Sequence, residues 1–145
     1  MARYDKYDPV VNGYRADIAA NFPDANLGKV YGVGHDAAGK LVIGAGTSGV
    51  KGLLVLTQKP GRVGPLRDVS RVDVMVHGCI TDFGPTAGVP GTDFGVPGQD
   101  FFSDAAGLIS VTPAVGSVYV GHCNEADRME VNVIPIPLIA TQFGV

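Results

Sequence analysis

The chain has 145 residues, 46% of them apolar and only 17% charged, with 11 basic and 14 acidic side chains and a net charge of −3. That length fits one domain able to bury a core, and the scattered Lys and Arg exclude a general nucleic-acid binder, which needs a basic patch or stripe. No run approaches the ~20 apolar residues of a membrane span; residues 1–9 lack the apolar stretch of a secretory signal, and two cysteines, Cys79 and Cys123, are too few for a disulfide framework.

These features read as a product of a reducing cytoplasm. The low charge leaves more apolar surface than charges can cover, so part of it is expected to meet another chain. The 21 glycines and 10 prolines are spread along the sequence, a punctuation that breaks helices and suits short strands joined by turns.

Residues 1–28 are polar and aperiodic, with Tyr4, Tyr7 and Tyr14 set among Arg3, Lys6 and Arg15. They read as an extended N-terminal arm, with one helical turn over Asp17 to Asn21 ended by Pro23. From residue 29 to 145 a single β domain is expected. "KVYGVG", "KLVIG" and "GLLVLT" are strands separated by turn chemistry. In "RVDVMVHG", Val72, Val74 and Val76 alternate with an outward set of Arg71, Asp73 and Met75; in "RMEVNVI", Met129, Val131 and Val133 alternate with Arg128, Glu130 and Asn132. "LISVT" and "SVYVG" precede the latter. Residues 83–102 form a long Pro/Gly loop with an echoed Val-Pro-Gly-x-Asp-Phe, a surface excursion suited to touching a partner. In the tail from 135 to 145, Pro135 and Pro137 forbid a central strand, so the segment covers a sheet edge or lies along a neighbour. The fold class is all-β, a small barrel or sandwich.

"LVIGAGTSGV" (41–50) poses the main chemical question, because Gly44, Gly46 and Gly49 fit G-x-G-x-x-G. A dinucleotide site needs a helix next, whose N-terminal amides hold the pyrophosphate. Here Gly52 comes at once and Pro60 ends the run, while Asp68, at the spacing of a ribose ligand, precedes the next strand instead of ending it. A second copy points the same way. "DAAGKLVIGAGTSGVKGLLVL" from Asp36 resembles "DAAGLISVTPAVGSVYVG" from Asp104; omitting Lys40 aligns Gly49 with Gly116, but Gly44 with Val111 and Gly46 with Pro113. The segment is read as a turn, and no cofactor-binding residue is assigned.

Two "TDFG" runs lack the rest of a kinase, and G-x-S-x-G is missed by one residue at 46–50. His77, Cys79, His122 and Cys123 could supply a Cys₂His₂ metal set, yet without the paired turn spacing of zinc sites. They are read as free thiols and ordinary histidines. Neither metal ligands nor catalytic residues are assigned.

"VYGVGHDAAGKLVIGAG", "RVDVMVHGCITDF" and "GLISVTPAVGSVYVGHCNEADRMEVNVIPI" together resemble the capsid decoration, or cement, proteins of tailed bacteriophages, in particular those of actinobacteriophages. The resemblance covers about residues 28–137. It implies a non-enzymatic β-barrel-like domain without cofactor. Such a domain binds the major capsid protein on the outside of the assembled shell, often as a homotrimer, after synthesis in the host cytoplasm. Under that reading Tyr4, Tyr7 and Tyr14 of the arm are the candidate partner-binding residues, because tyrosine offers contact area at low entropy cost. Removing residues 1–20 should then leave the domain folded but weaken shell binding. The alternatives are a tail or other virion structural protein, or a small dinucleotide- or zinc-binding protein.

Overall fold

Among the described residues, short apolar runs between glycine turns give eleven strands and no helix. The computed structural model describes residues 3–8, 10–19, 29–55, 71–81, 97–125 and 128–139. The strands are β1 (Arg3–Tyr4), β2 (Gly13–Asp17), β3 (Val30–His35), β4 (Leu41–Ile43), β5 (Gly52–Val55), β6 (Arg71–Met75), β7 (His77–Thr81), β8 (Asp100–Ser103), β9 (Ile109–Ser110), β10 (Val118–Glu125) and β11 (Arg128–Asn132). They form two sheets with antiparallel ladders, ordered β1-β7-β11-β10-β8-β9 and β2-β6-β5-β3-β4. The architecture is a sandwich, not a closed barrel.

The core lies between the sheets. Val30, Leu53, Val55 and Met75 from the five-stranded sheet meet Ile80, Phe101, Ile109, Val118, Val120, Met129 and Val131 from the other. Burying each such side chain is worth roughly 1.5–3 kcal/mol relative to exposure. The five-stranded sheet is also buried on its second face, where Ala16, Ile18, Val33, Leu41, Leu54 and Val74 cluster. That sheet curls until its edges touch. Ile18 bridges to Leu41, and the Ala19 N–H donates to the Leu41 carbonyl at 2.9 Å. The double burial explains why Met75, expected to face outward, is fully buried instead. A strand covered on both faces has no solvent side for alternation to mark.

Each sheet is built on one copy of the internal repeat. With the strand that leads into it, the first copy gives β3, β4 and β5 in the order β5-β3-β4, and the second gives β8, β9 and β10 in the order β10-β8-β9. Their hairpin turns match bond for bond. Asp36 Oδ1 accepts from the N–H of Ala38 and Lys40, both at 2.9 Å; Asp104 Oδ1 accepts from Ala106 and Leu108 at 2.9 and 3.0 Å. Gly39 and Gly107 close the two turns with φ of +81° and +84°, and the aligned Gly49 and Gly116 have +81° and +86°.

The copies differ in what they touch. Nothing lies within 4 Å of a Cβ built on Gly39, whereas one on Gly107 would stand 2.5 Å from the Gly32 carbonyl oxygen and 2.8 Å from the Gly44 nitrogen. The second turn is pressed against the opposite sheet. There the Gly32 N–H donates to Gly107 O at 2.8 Å and the Ala45 N–H to Ala105 O at 2.9 Å. Packed sheets normally stand about 10 Å apart, so this backbone contact needs residues without side chains.

The described N-terminal residues are not a detached arm. β1 pairs with β7, and β2 runs along β6 from Gly13↔Met75 to Asp17↔Arg71. Asp17 ends a strand, not a helical turn; Asn21 and Pro23 lie outside the described residues. Ion pairs Arg15–Asp73 at 2.8 Å and Arg71–Asp17 at 3.7 Å keep the same register, each exposed and worth little.

Two tyrosines fasten this segment down. Two residues beyond Leu53↔Met75 the antiparallel register would set Val55 opposite Asp73, but the Tyr4 hydroxyl stands between them. It accepts from the Val55 N–H at 3.2 Å and donates to the Asp73 carbonyl at 2.7 Å. A side chain from one sheet thus completes a ladder in the other. Tyr7 stacks on Tyr4 at 5.0 Å and donates to the Val74 carbonyl at 2.7 Å. Desolvation raises both phenols, Tyr7 to about 12 and Tyr4 further still.

Two other expectations change. The strand expected as one run over 71–78 is broken at Val76, where the chain passes from one sheet to the other. The Asn12 carbonyl accepts from both Val76 and His77 N–H at this corner, at 2.8 and 3.1 Å. The loop expected over 83–102 gives way to β8 at Asp100; its residues 83–96 lie outside the described residues.

Gly39→Ala should cost about 1 kcal/mol, the usual penalty for an L-residue in the left-handed region, and Gly107→Ala roughly 3 kcal/mol or more, because backbone must also move. Equal losses in denaturant unfolding would contradict the seam. Tyr4→Phe should cost about 1–2 kcal/mol at neutral pH by leaving Val55 N–H and Asp73 C=O without their bridge. Because the folded phenols ionise later than the unfolded value of 10.0, their contribution is intact below pH ~10 and declines as pH rises from there through the folded values. The variant's alkaline decline should be shallower, and an identical slope would refute the assignment. Deleting residues 1–20 should abolish the cooperative calorimetric transition, the reverse of what an arm would do; a truncated chain that melts like the whole would restore the arm.

Candidate interaction surface

The glycine loop is tied to the rest of the fold. Four of its amides donate to the chain's own carbonyls: Gly44 N–H to Gly32, Ala45 to Ala105, Thr47 to His35 and Lys51 to Val33, all at 2.8–2.9 Å. The space above Gly44 and Gly46 is filled by Ala105 O and His35 O. Beyond Gly49 the chain enters strand β5, not a helix. The loop is a turn, as the repeat implies. Asp68 lies outside the described residues.

The cysteines and histidines are divided by the pleat. Cys123 points into the core between the sheets, and Cys79 lies on the outer face of β7, in line with Glu130, His122 and Asp100 through the registers of β7, β11, β10 and β8. Among the described residues no three such groups converge on a metal position. Burial raises the Cys79 thiol, and the Arg128 guanidinium 3.8 Å away opposes this. Arg128 itself reaches Asp5 at 3.1 Å, another tie to the N-terminal segment.

Of the three candidate tyrosines, Tyr4 and Tyr7 spend their hydroxyls on the backbone carbonyls of Asp73 and Val74 in β6. Tyr14 is 2.8 Å from His35 Nε2 and stacks on that ring at 5.6 Å. His35 Nδ1 lies 3.0 Å from the Gly39 carbonyl, to which only an N–H can donate, so Nε2 of the neutral ring accepts from the phenol. The pair fastens β2 to the β3–β4 hairpin. The three residues are neighbours, with Tyr4 stacked on Tyr7 and the Tyr7 hydroxyl 3.2 Å from the Tyr14 carbonyl, and all three hydroxyls are engaged within the chain.

A different set is exposed. Among the described residues Val10 (91%), Val11 (65%), Val115 (65%), Ile134 (46%), Ile136 (69%) and Ile139 (84%) are large apolar side chains in solvent, together with Leu108 elsewhere. The two valines are flanked by side-chain hydrogen bonds. Asp8 Oδ1 accepts from Val10 N–H at 2.9 Å, Asn12 Oδ1 from Asp8 N–H at 2.8 Å, and Asn12 Nδ2–H donates to His77 O at 2.8 Å. Beside this turn, Val133 N–H reaches the Val76 carbonyl, and the tail then runs along residues 116–119. Ile134 N–H donates to Tyr119 O at 3.0 Å, Leu138 N–H to Ser117 O at 2.9 Å and Gly116 N–H to Leu138 O at 2.8 Å.

The tail therefore covers an edge of its own domain. With 134 and 138 facing inward, the outward positions are 135 and 137, and both are proline. Over 134–138 the tail offers no outward N–H to a further strand. Its contacts must come from side chains. Sequence reasoning finds the apolar tail but not Val10, Val11 or Val115; the signal that could reveal them is the absence of Asp, Glu, Lys and Arg from 9–14, 105–124 and 131–145.

No family model and no curated protein matches the chain. Among solved structures, its fold is similar to that of a chain from Mycobacterium phage Patience, with 20% sequence identity, a TM-score of 0.78, and coverage of 94% of this chain and 97% of that one.

Proposed function

We propose that the protein is a non-enzymatic virion structural protein of a bacteriophage, which binds the outer surface of the assembled capsid and stabilises it. The observation that carries this reading is the likeness over nearly the full length of both chains to a mycobacteriophage protein. The surface fits it: apolar side chains are displayed on hydrogen-bonded turns, and the glycine loop leads into a strand instead of a helix. A rigid display loses little entropy on docking.

The physical effect would be mass action. A chain that binds the expanded shell but not free subunits stabilises the shell by RT ln(1 + [L]/Kd), about 2.7 kcal/mol per site at a hundredfold excess over Kd. Repetition over many sites multiplies that against internal pressure. A tail component is the second reading.

The test is co-sedimentation of the purified chain with expanded capsids of its source phage, with unassembled capsid protein as control. Saturable binding at a fixed ratio to shells alone is expected, along with a higher shell melting temperature. Absence of binding to shells, or equal binding to free subunits, would refute the role.

A further inference from the structure

We infer that Asn12 is a self-modification site held closed by the folded corner: the Asn12-Gly13 pair deamidates through a succinimide when that corner opens. It is the one Asn-Gly pair in the sequence; the other four asparagines precede Phe22, Leu27, Glu125 and Val133. A side chain after asparagine obstructs ring closure, and glycine has none. The fold requires both members of the pair. A Cβ on Gly13 would overlap the Val74 carbonyl oxygen. Asn12 holds the corner where the chain passes between the sheets. Its carbonyl accepts from Val76 and His77 N–H, its Oδ1 accepts from Asp8 N–H at 2.8 Å, and its Nδ2–H donates to His77 O at 2.8 Å.

Both ends of the amide are thus tied. In the reaction Gly13 N attacks Asn12 Cγ and the N–Cγ bond forms. The Cγ–Nδ2 bond breaks, and Nδ2 leaves as ammonia with the Gly13 amide proton. Water then opens the ring at either carbonyl, giving aspartate or isoaspartate. Closing the ring draws the amide away from Asp8 and His77 and twists Gly13 out of its pairing with Met75, so the reaction follows local opening. The product does not fit the corner. A carboxylate has no donor for His77 O and leaves two acceptors facing each other. Isoaspartate also lengthens the main chain by a methylene just before the β2–β6 ladder. A chain that stays open is therefore marked, and it cannot rebuild the native corner.

The test is peptide mapping by mass spectrometry of the full chain aged in mildly alkaline buffer, folded and in denaturant. Asn12 should convert first in denaturant, and on the order of tenfold or more slowly in the folded chain. Asp8→Ala removes the acceptor of the Val10 N–H beside the tied amide and leaves the Asn-Gly pair intact; it should speed conversion in the folded chain. Returned to native buffer, the converted chain should melt below the unaged one, as should Asn12→Asp. Equal rates in the folded and denatured chain, earlier conversion at Asn124 or Asn132, or a converted chain that melts as the unaged one does would overturn the inference.

Discussion

Everything in this molecule is arranged around one close approach. At the corner where the second Asp-Ala-Ala-Gly turn meets β3, the two sheets come together as bare backbone. Gly32, Gly44 and Gly107 have no side chains, and the Gly32 N–H reaches across to Gly107 O at 2.8 Å. A methyl on Gly107 would collide with main-chain atoms that cannot rotate away. The rest of the sandwich opens from that corner to make room for Phe101, Leu53, Met75 and Met129.

The repeat gives the seam its logic. Two copies of one three-stranded unit make the centres of two sheets, and their turns have the same hydrogen bonds and nearly the same φ at Gly39 and Gly107. Only one turn is docked. The docking partner is the glycine loop of the other copy, so a sequence that looks like a phosphate cradle is a socket for a turn. By the matched turn bonds and registers, Gly44 and Gly46 correspond to Thr112 and Ala114 in the second copy, which receives no turn.

The legible parts of the fold are those where one face is wet. Met129 and Val131 alternate with Arg128 and Glu130, and the structure buries the first pair. Met75 defeats the alternation rule because its sheet is buried on both faces. β1 and β2 escape sequence reading because what holds them is not side-chain pattern: Tyr4 and Tyr7 are fixed by carbonyls and an amide of distant strands, which no local sequence reveals. β8 is hidden behind Pro-Gly turns. Of the candidate surface, the charge-free runs and the Pro-Ile-Pro spacing are plain in the sequence, whereas Val10 and Val11 become visible only once Asp8 and Asn12 are seen to lock the turn beneath them.

The functional account joins a rigid two-sheet body to a surface with no charge and a blocked edge. Such a surface suits side-chain contact among many identical neighbours, where individually modest sites add through repetition. The most direct test is electron cryo-microscopy of the intact source virion. The account requires density of this two-sheet shape on the outside of the shell, repeated with the shell's symmetry. Finding the chain confined to the tail, inside the shell, or absent from the particle would contradict it.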